Sequence, residues 1–247
     1  MNPQFAPLTL EVSVLLLGFF LLFAEAFRSG GSRSWMARVA IYVLAVIFAW
    51  SFFTRGDAGV DLEKAFYTAD ATALFFKRIA LLTTMGVLVM ALEYKGIVAK
   101  YIPQGKSGAG LGEFYSLPIF TCAGLMFMAS AVDFLLIFVS LELVTISFYV
   151  LVAYMRRSIV SLEAGVKYLI LGALSTGFLV YGITWIFGVT GETNLARIGR
   201  LLPGMLAEGG RLQGAEAAVV FISDPQIQPA PRGAGCPLKP SIEIPHL

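Results

Sequence analysis

Apolar residues in this chain gather into long blocks separated by short polar stretches. They run from Leu10 to Phe27, Met36 to Phe53, Ala71 to Leu92, Tyr115 to Val132, Phe134 to Tyr154 and Leu162 to Phe187, and a seventh begins at Gly214. Each complete block is close to the roughly 20 residues a helix needs to cross a hydrocarbon core about 30 Å thick. The blocks lack the alternating pattern of barrel strands, and a span in lipid must satisfy its own backbone hydrogen bonds, so they read as helices. The expected fold is all-α, a polytopic membrane helical bundle of about six complete transmembrane helices.

Composition agrees: 57% of residues are hydrophobic and 14% charged, and the mean hydropathy is +0.79, outside the usual range of water-soluble domains. Ala24-Glu25-Ala26 imitates a signal-peptide cleavage site after the first block. The residues before that block carry no Lys or Arg, however, while Arg28, Arg33 and Arg38 follow it, the reverse of a secretory signal. Basic residues recur in every second loop: Arg28/Arg33/Arg38, then Lys95/Lys100/Lys106, then Arg156/Arg157. The loop with Asp57, Asp61, Glu63 and Asp70 is net acidic and falls between them. Since Lys and Arg in short loops collect on the cytoplasmic side, the N-terminus is expected outside a cell inner (cytoplasmic) membrane. The segment with Arg197, Arg200 and Arg211 against Glu192 and Glu208 is also expected outside, and fits least well.

A net charge of +2, spread over membrane-facing loops, forms no run suited to nucleic acid. Cys122 and Cys236 have no metal-ligand spacing to each other or to His246, so neither a metal site nor a redox centre is expected in this chain.

Ionisable groups inside the spans remain, and a charge there costs roughly 2.5–3.5 kcal/mol on insertion scales, which makes each a functional candidate. With the fifth helix starting after Asp133, Glu142 lies roughly 13 Å deep, near the midplane. Thr145 and Tyr149 follow it at i+3 and i+7, so a polar stripe suited to a proton path runs along one face. In the sixth helix, read as starting near Leu162 with Ser161 as cap, Lys167 stands closer to the boundary. Glu163, four residues earlier, offers it a local ion pair. A direct Glu142–Lys167 pair is not expected, because the two side chains lean toward opposite ends of antiparallel helices. Lys77 and Arg78, about seven residues beyond Asp70, are expected to reach the headgroups.

The stretch Val132-Asp133-Phe134-Leu135-Leu136-Ile137-Phe138-Val139-Ser140-Leu141-Glu142-Leu143 comes before Arg156-Arg157-Ser158, Glu163-Ala164-Gly165-Val166-Lys167-Tyr168, Leu171-Gly172-Ala173 and Gly191-Glu192-Thr193-Asn194-Leu195. Together these resemble the proton-channel membrane subunits of respiratory complex I, above all the N-subunit family of bacterial NADH:quinone oxidoreductases. The resemblance implies a fold of about fourteen spanning helices with two inverted repeats, each holding a broken helix, the first repeat beginning near 115 and incomplete here. It implies proton translocation coupled to quinone reduction, with Glu142 and Lys167 as proton-translocating residues and Thr145 and Tyr149 as relay candidates. NADH, flavin, iron–sulfur clusters and quinone would belong to the parent complex, and the partners would be other membrane-arm subunits and the lipid bilayer. A subunit of a related multi-subunit cation/proton antiporter is the alternative, as is an inactive fragment, because the chain has about half the length such a subunit needs.

Six of the eleven prolines fall between Ser223 and Leu247, a density no spanning helix tolerates. Residues 1–221 are therefore expected to form the transmembrane domain and 222–247 a Pro-rich, disordered, non-native tail.

Overall fold

The computed structural model describes residues 8–27, 34–54, 66–101 and 111–207. Among them seven helices follow in order: α1 (Leu8–Phe27), α2 (Ser34–Ser51), α3 (Ala71–Tyr101), α4 (Leu111–Ala129), α5 (Phe134–Val152), α6 (Ile159–Thr190) and α7 (Leu195–Ala207). No strand forms among the described residues. Five helices, α1, α3, α4, α5 and α6, are long and apolar enough to cross a membrane. The apolar part of α2, Trp35–Ser51, is shorter and stands at the lower edge of the roughly 17–25 residues that suffice. The tail and the seventh apolar block from Gly214 lie outside the described residues.

The expected blocks recur as helices with shifted ends. α6 begins three residues earlier than the apolar pattern suggests, because Ser158 and not Ser161 caps it, the Ser158 hydroxyl accepting from the Ser161 amide. Ser161 instead donates to the Val152 carbonyl at 2.7 Å, tying the start of α6 to the end of α5. At its other end α6 stops at Gly191, whose φ of 67° is the left-handed conformation open to glycine. The segment 195–207, expected from its charges only to lie outside, is the amphipathic helix α7. Ile198 of α7 is buried, and Asn194 caps it by accepting from the Ala196 and Arg197 amides. Its apolar run is too short for a span, and for that reason block counting passed over it.

α4 is the hub, packed against α1, α3 and α5. Leu10, Val14, Leu17 and Leu21 of α1 share one helical face and meet Leu74, Leu81 and Leu88 of α3 and Tyr115, Ile119, Cys122 and Met126 of α4 in a common core. Close approach of α4 to α5 requires Gly124, where a Cβ would fall 2.7 Å from Val144 Cγ2 and 3.0 Å from the Ser140 carbonyl oxygen. α5 and α6 bury little of themselves: Ser140 and Ser147 on one and Gly165 on the other. Their outward faces carry Val139, Ile146, Ile170, Leu174, Phe178 and Trp185, a surface for hydrocarbon or other protein.

At one end of the bundle three extended segments are laced together. The Thr68 amide donates to Ser130 O at 2.8 Å and the Val132 amide to Phe66 O at 3.2 Å; the Phe134 amide donates to Thr193 O and the Leu195 amide to Val132 O, both at 3.0 Å. This strap joins the start of α3, the end of α4, the start of α5 and the end of α6, so consecutive helices run in alternating directions. Its centre is Asp133, buried, with one carboxylate oxygen capping α5 at the Leu135 amide and the other accepting from the Thr193 hydroxyl at 2.7 Å.

Candidate functional site

Glu142 is the ninth residue of α5, about halfway along a helix roughly 28 Å long. It faces α6, where Thr176 Oγ1 donates to its Oε1 at 2.9 Å. The two residues open a groove of about 740 Å³ between the helices, lined further by Tyr149, Tyr154, Arg156, Gly165 and Leu169. The walls are otherwise mostly apolar, so the carboxylate meets few competing dipoles along it.

Tyr149, one of the expected relay residues, lies in the same groove. Its ring occupies the space a side chain at position 172 would need, so Gly172 is what lets the phenol cross to α6. There it meets the edge of Tyr168 at 5.2 Å between centroids. Thr145 is placed differently: its hydroxyl donates to the backbone oxygen of Glu142 at 3.2 Å, within its own helix, and it does not line the groove.

Lys167 forms the local ion pair, Nζ to Glu163 Oε1 at 2.5 Å, with both side chains well exposed. It lies nine residues before Thr176 on α6, about 13 Å along the axis from the level of Glu142, as the opposite lean of the two side chains led us to expect. Thr176 itself was missed from sequence: a threonine in an apolar helix carries no charge to attract notice, and only the α5–α6 register shows what it faces.

Lys77 corrects an expectation, for it turns into the bundle and does not reach outward. Lys77 is fully buried and pairs with Glu11 at 2.7 Å, the Glu11 side chain being equally buried. Arg78 donates to Ser51 O at 2.9 Å and covers the Phe52 ring. A signal was present in the sequence. Lys77 stands at i+3 from Leu74 and i−4 from Leu81, inside the core stripe of α3, and Glu11 falls in the α1 stripe with Val14, Gly18 and Leu21.

Near the other end of α5, Tyr154 packs against the Phe114 ring at 5.4 Å. Burial, then the charges of Glu113 and Glu25, push its hydroxyl ionisation well above the usual tyrosine range.

Residues 131–221, which hold α5, α6, α7 and the central strap segment, match a family described as NADH:quinone oxidoreductase/Mrp antiporter, transmembrane. The NADH-quinone oxidoreductase subunit N of Trichlorobacter lovleyi is 37% identical over 195 residues, 78% of this chain and 37% of that protein. The subunit N of Desulfitobacterium hafniense is 36% identical over 225 residues, 90% of this chain and 41% of that protein. This chain thus spans about two fifths of the length of these relatives. In fold it is similar to a chain of the membrane-bound sulfane sulfur reductase, an archaeal respiratory membrane complex, with a TM-score of 0.61 at 21% identity, covering 89% of this chain and 43% of that one. It is also similar in fold to a chain of respiratory complex I from Thermus thermophilus, with a TM-score of 0.58 at 22% identity, covering 86% and 42%. Residues 131–221 thus match the transmembrane region of the NADH:quinone oxidoreductase/Mrp antiporter family, and the chain as a whole is similar to part of the N subunits of NADH-quinone oxidoreductases.

Proposed function

We propose that this chain serves in the membrane arm of a proton-translocating NADH:quinone oxidoreductase, in the cell inner membrane beside other membrane-arm subunits, with Glu142 as its principal proton-exchanging group. One observation carries the reading: a carboxylate halfway along a spanning helix, held by the Thr176 hydroxyl across an otherwise mostly apolar groove. A carboxyl group there takes up and releases protons, and intramembrane carboxylates serve as proton relays for that reason. Tyr149 stands further along the groove toward the far end of α5, whereas the Lys167–Glu163 pair is well exposed and does not line the groove. A proton path would run along the groove past Glu142, Thr176 and Tyr149, with Lys167 in the lesser role, as a group at its cytoplasmic end. NADH, flavin, iron–sulfur clusters and quinone would be bound by other subunits, and this chain would supply no redox step.

The test uses membranes that contain the assembled complex. NADH-driven proton uptake and NADH:quinone reductase activity are measured together for wild type, Glu142→Ala, Glu142→Asp and Lys167→Ala. Glu142→Ala is expected to lose most of both activities at normal assembly, Glu142→Asp to keep part, and Lys167→Ala to lose less. Equal rates in wild type and Glu142→Ala would overturn the reading. Because the matched family also covers Mrp antiporters, a cation/proton antiporter subunit is the second reading. Sodium-driven proton movement without NADH would favour it.

A further inference from the structure

Where α1 and α3 begin, three polar side chains close into a ring. Lys77 Nζ lies 2.7 Å from Glu11 Oε1 and donates to Tyr67 Oη at 2.8 Å, and the Tyr67 hydroxyl in turn donates to the same Glu11 oxygen at 2.8 Å. Glu11 and Lys77 are fully buried, and Glu11 Oε2 has no hydrogen-bond partner. Tyr67, half-buried in the segment before α3, is the member of the three that reaches toward the surface.

For holding α1 to α3, apolar side chains of similar volume would serve as well or better, since desolvating two charges offsets most of their attraction. What an ion pair adds is the capacity to change charge. Burial, and after it the charge of Glu11, pushes Tyr67 ionisation far above the usual tyrosine range, so its hydroxyl stays protonated and can pass a proton without itself becoming an anion.

Among the described residues, neighbouring ionisable groups stand apart; Asp133, on the adjoining strap, caps α5 and accepts from the Thr193 hydroxyl. Arg78 turns to Ser51 O, and Asp70 accepts from the Thr68 hydroxyl. Glu25 lies 14 residues further along α1, roughly 21 Å away, and Arg38 a similar distance from the Ser51 end of α2. On α4, Cys122 is two turns from Ser130, and Glu113 and Tyr115 are beyond it. Between this ring and Glu142 stands α4, packed on α1 and α3 on one side and on α5 on the other.

We propose that Glu11, Lys77 and Tyr67 form a second proton-exchange site within the membrane, separate from Glu142, with Tyr67 as the group through which the proton enters. A proton arriving at Tyr67 Oη forms a new O–H bond there as the hydrogen already on that oxygen passes to Glu11 Oε1. Glu11 becomes a neutral acid, Tyr67 is unchanged, and the site moves from zero charge to the single positive charge of Lys77. Release reverses each step, and no electrons are transferred.

Infrared difference spectroscopy of the chain in lipid nanodiscs, titrated with pH, tests this. In wild type a protonated-carboxyl C=O band is expected to rise as pH falls and to be lost in Glu11→Gln. In Lys77→Met the band should be present already at neutral pH, because a buried carboxylate without its cation takes a proton. After a rapid pH drop the band in Tyr67→Phe should rise about 100-fold more slowly, as expected on losing one positioned proton-transfer group. Glu142→Gln removes only the Glu142 signal, so failure of this site and failure of the proposed function are told apart. Where Glu11→Gln disturbs folding, Glu11→Gln with Lys77→Met, neutral at both positions, must still lack the band. A wild-type spectrum with no band that Glu11→Gln removes, over the pH range in which the helices persist, overturns the site. Equally fast protonation in Tyr67→Phe overturns the entry route.

Discussion

Thr176 and Glu142, 34 positions apart in sequence, meet across α5 and α6 with the threonine hydroxyl donating to the carboxylate at 2.9 Å. Thr176→Val keeps the shape and removes the donor, leaving a carboxylate oxygen short of one partner at a cost of about 1–3 kcal/mol. We expect proton translocation by the complex to fall about tenfold or more at normal assembly, and Thr176→Ser to restore most of it. Undiminished translocation in Thr176→Val would show that the bond is dispensable.

Gly172 exists for the Tyr149 ring. Gly172→Val is expected to force the ring aside and to destabilise the chain by about 1–3 kcal/mol, the usual cost of overpacking. Thermal unfolding in detergent measures it, and Tyr149→Ala in the same chain should recover a large part of the loss. If the double variant is no better than Gly172→Val alone, the two residues are not in the contact described.

Asp133 both caps α5 and holds Thr193. Asp133→Ala is expected to cost more than the roughly 1 kcal/mol of an ordinary cap, because it also frees the end of α6. Thr193→Val loses only one of these bonds and should cost less. The two changes together should fall short of additivity, and hydrogen exchange at the Phe134 and Leu195 amides should rise in both single variants.

Breaking the Glu11–Lys77 pair from one side is expected to be much worse than removing both partners. Lys77→Met or Glu11→Gln alone should lose about 3–5 kcal/mol, whereas the double variant should come close to wild type. Similar stability in all four chains would mean that the pair is not desolvated as the structure has it.

The alternating loop charges set the orientation we expect. A cysteine replacing Lys95 or Arg157 should react with an impermeant thiol reagent only after cells are opened, and one replacing Glu192 should react in intact cells. Cys236 is replaced by serine in all of these chains. Labelling at position 95 from outside would reverse the topology.

Much of this protein was readable along one dimension. Apolar blocks of spanning length require helices, because lipid offers no partner for an open backbone. Asp133 before an apolar run marked the start of α5, and counting at 1.5 Å per residue then placed Glu142 at mid-depth. Glu163 four residues before Lys167 announced the local pair by spacing alone. All of these depend on neighbours within a turn or two, which sequence order supplies.

What the sequence left open depends on which helix faces which. Thr176 became a partner of Glu142, and Gly172 a seat for Tyr149, only once α6 was set against α5 in one register. Residues 66–68, 130–134 and 193–195 are short mixed stretches with no strand pattern, and they became a strap because the helix ends bring their backbones together. Glu11 and Lys77 lie 66 positions apart, and their depths gave no hint that they share a face of the bundle. A helix determines the height of a side chain from its own sequence, but the direction in which that side chain meets a partner is decided by packing, where one turned helix exchanges a buried ion pair for two charges reaching toward the headgroups.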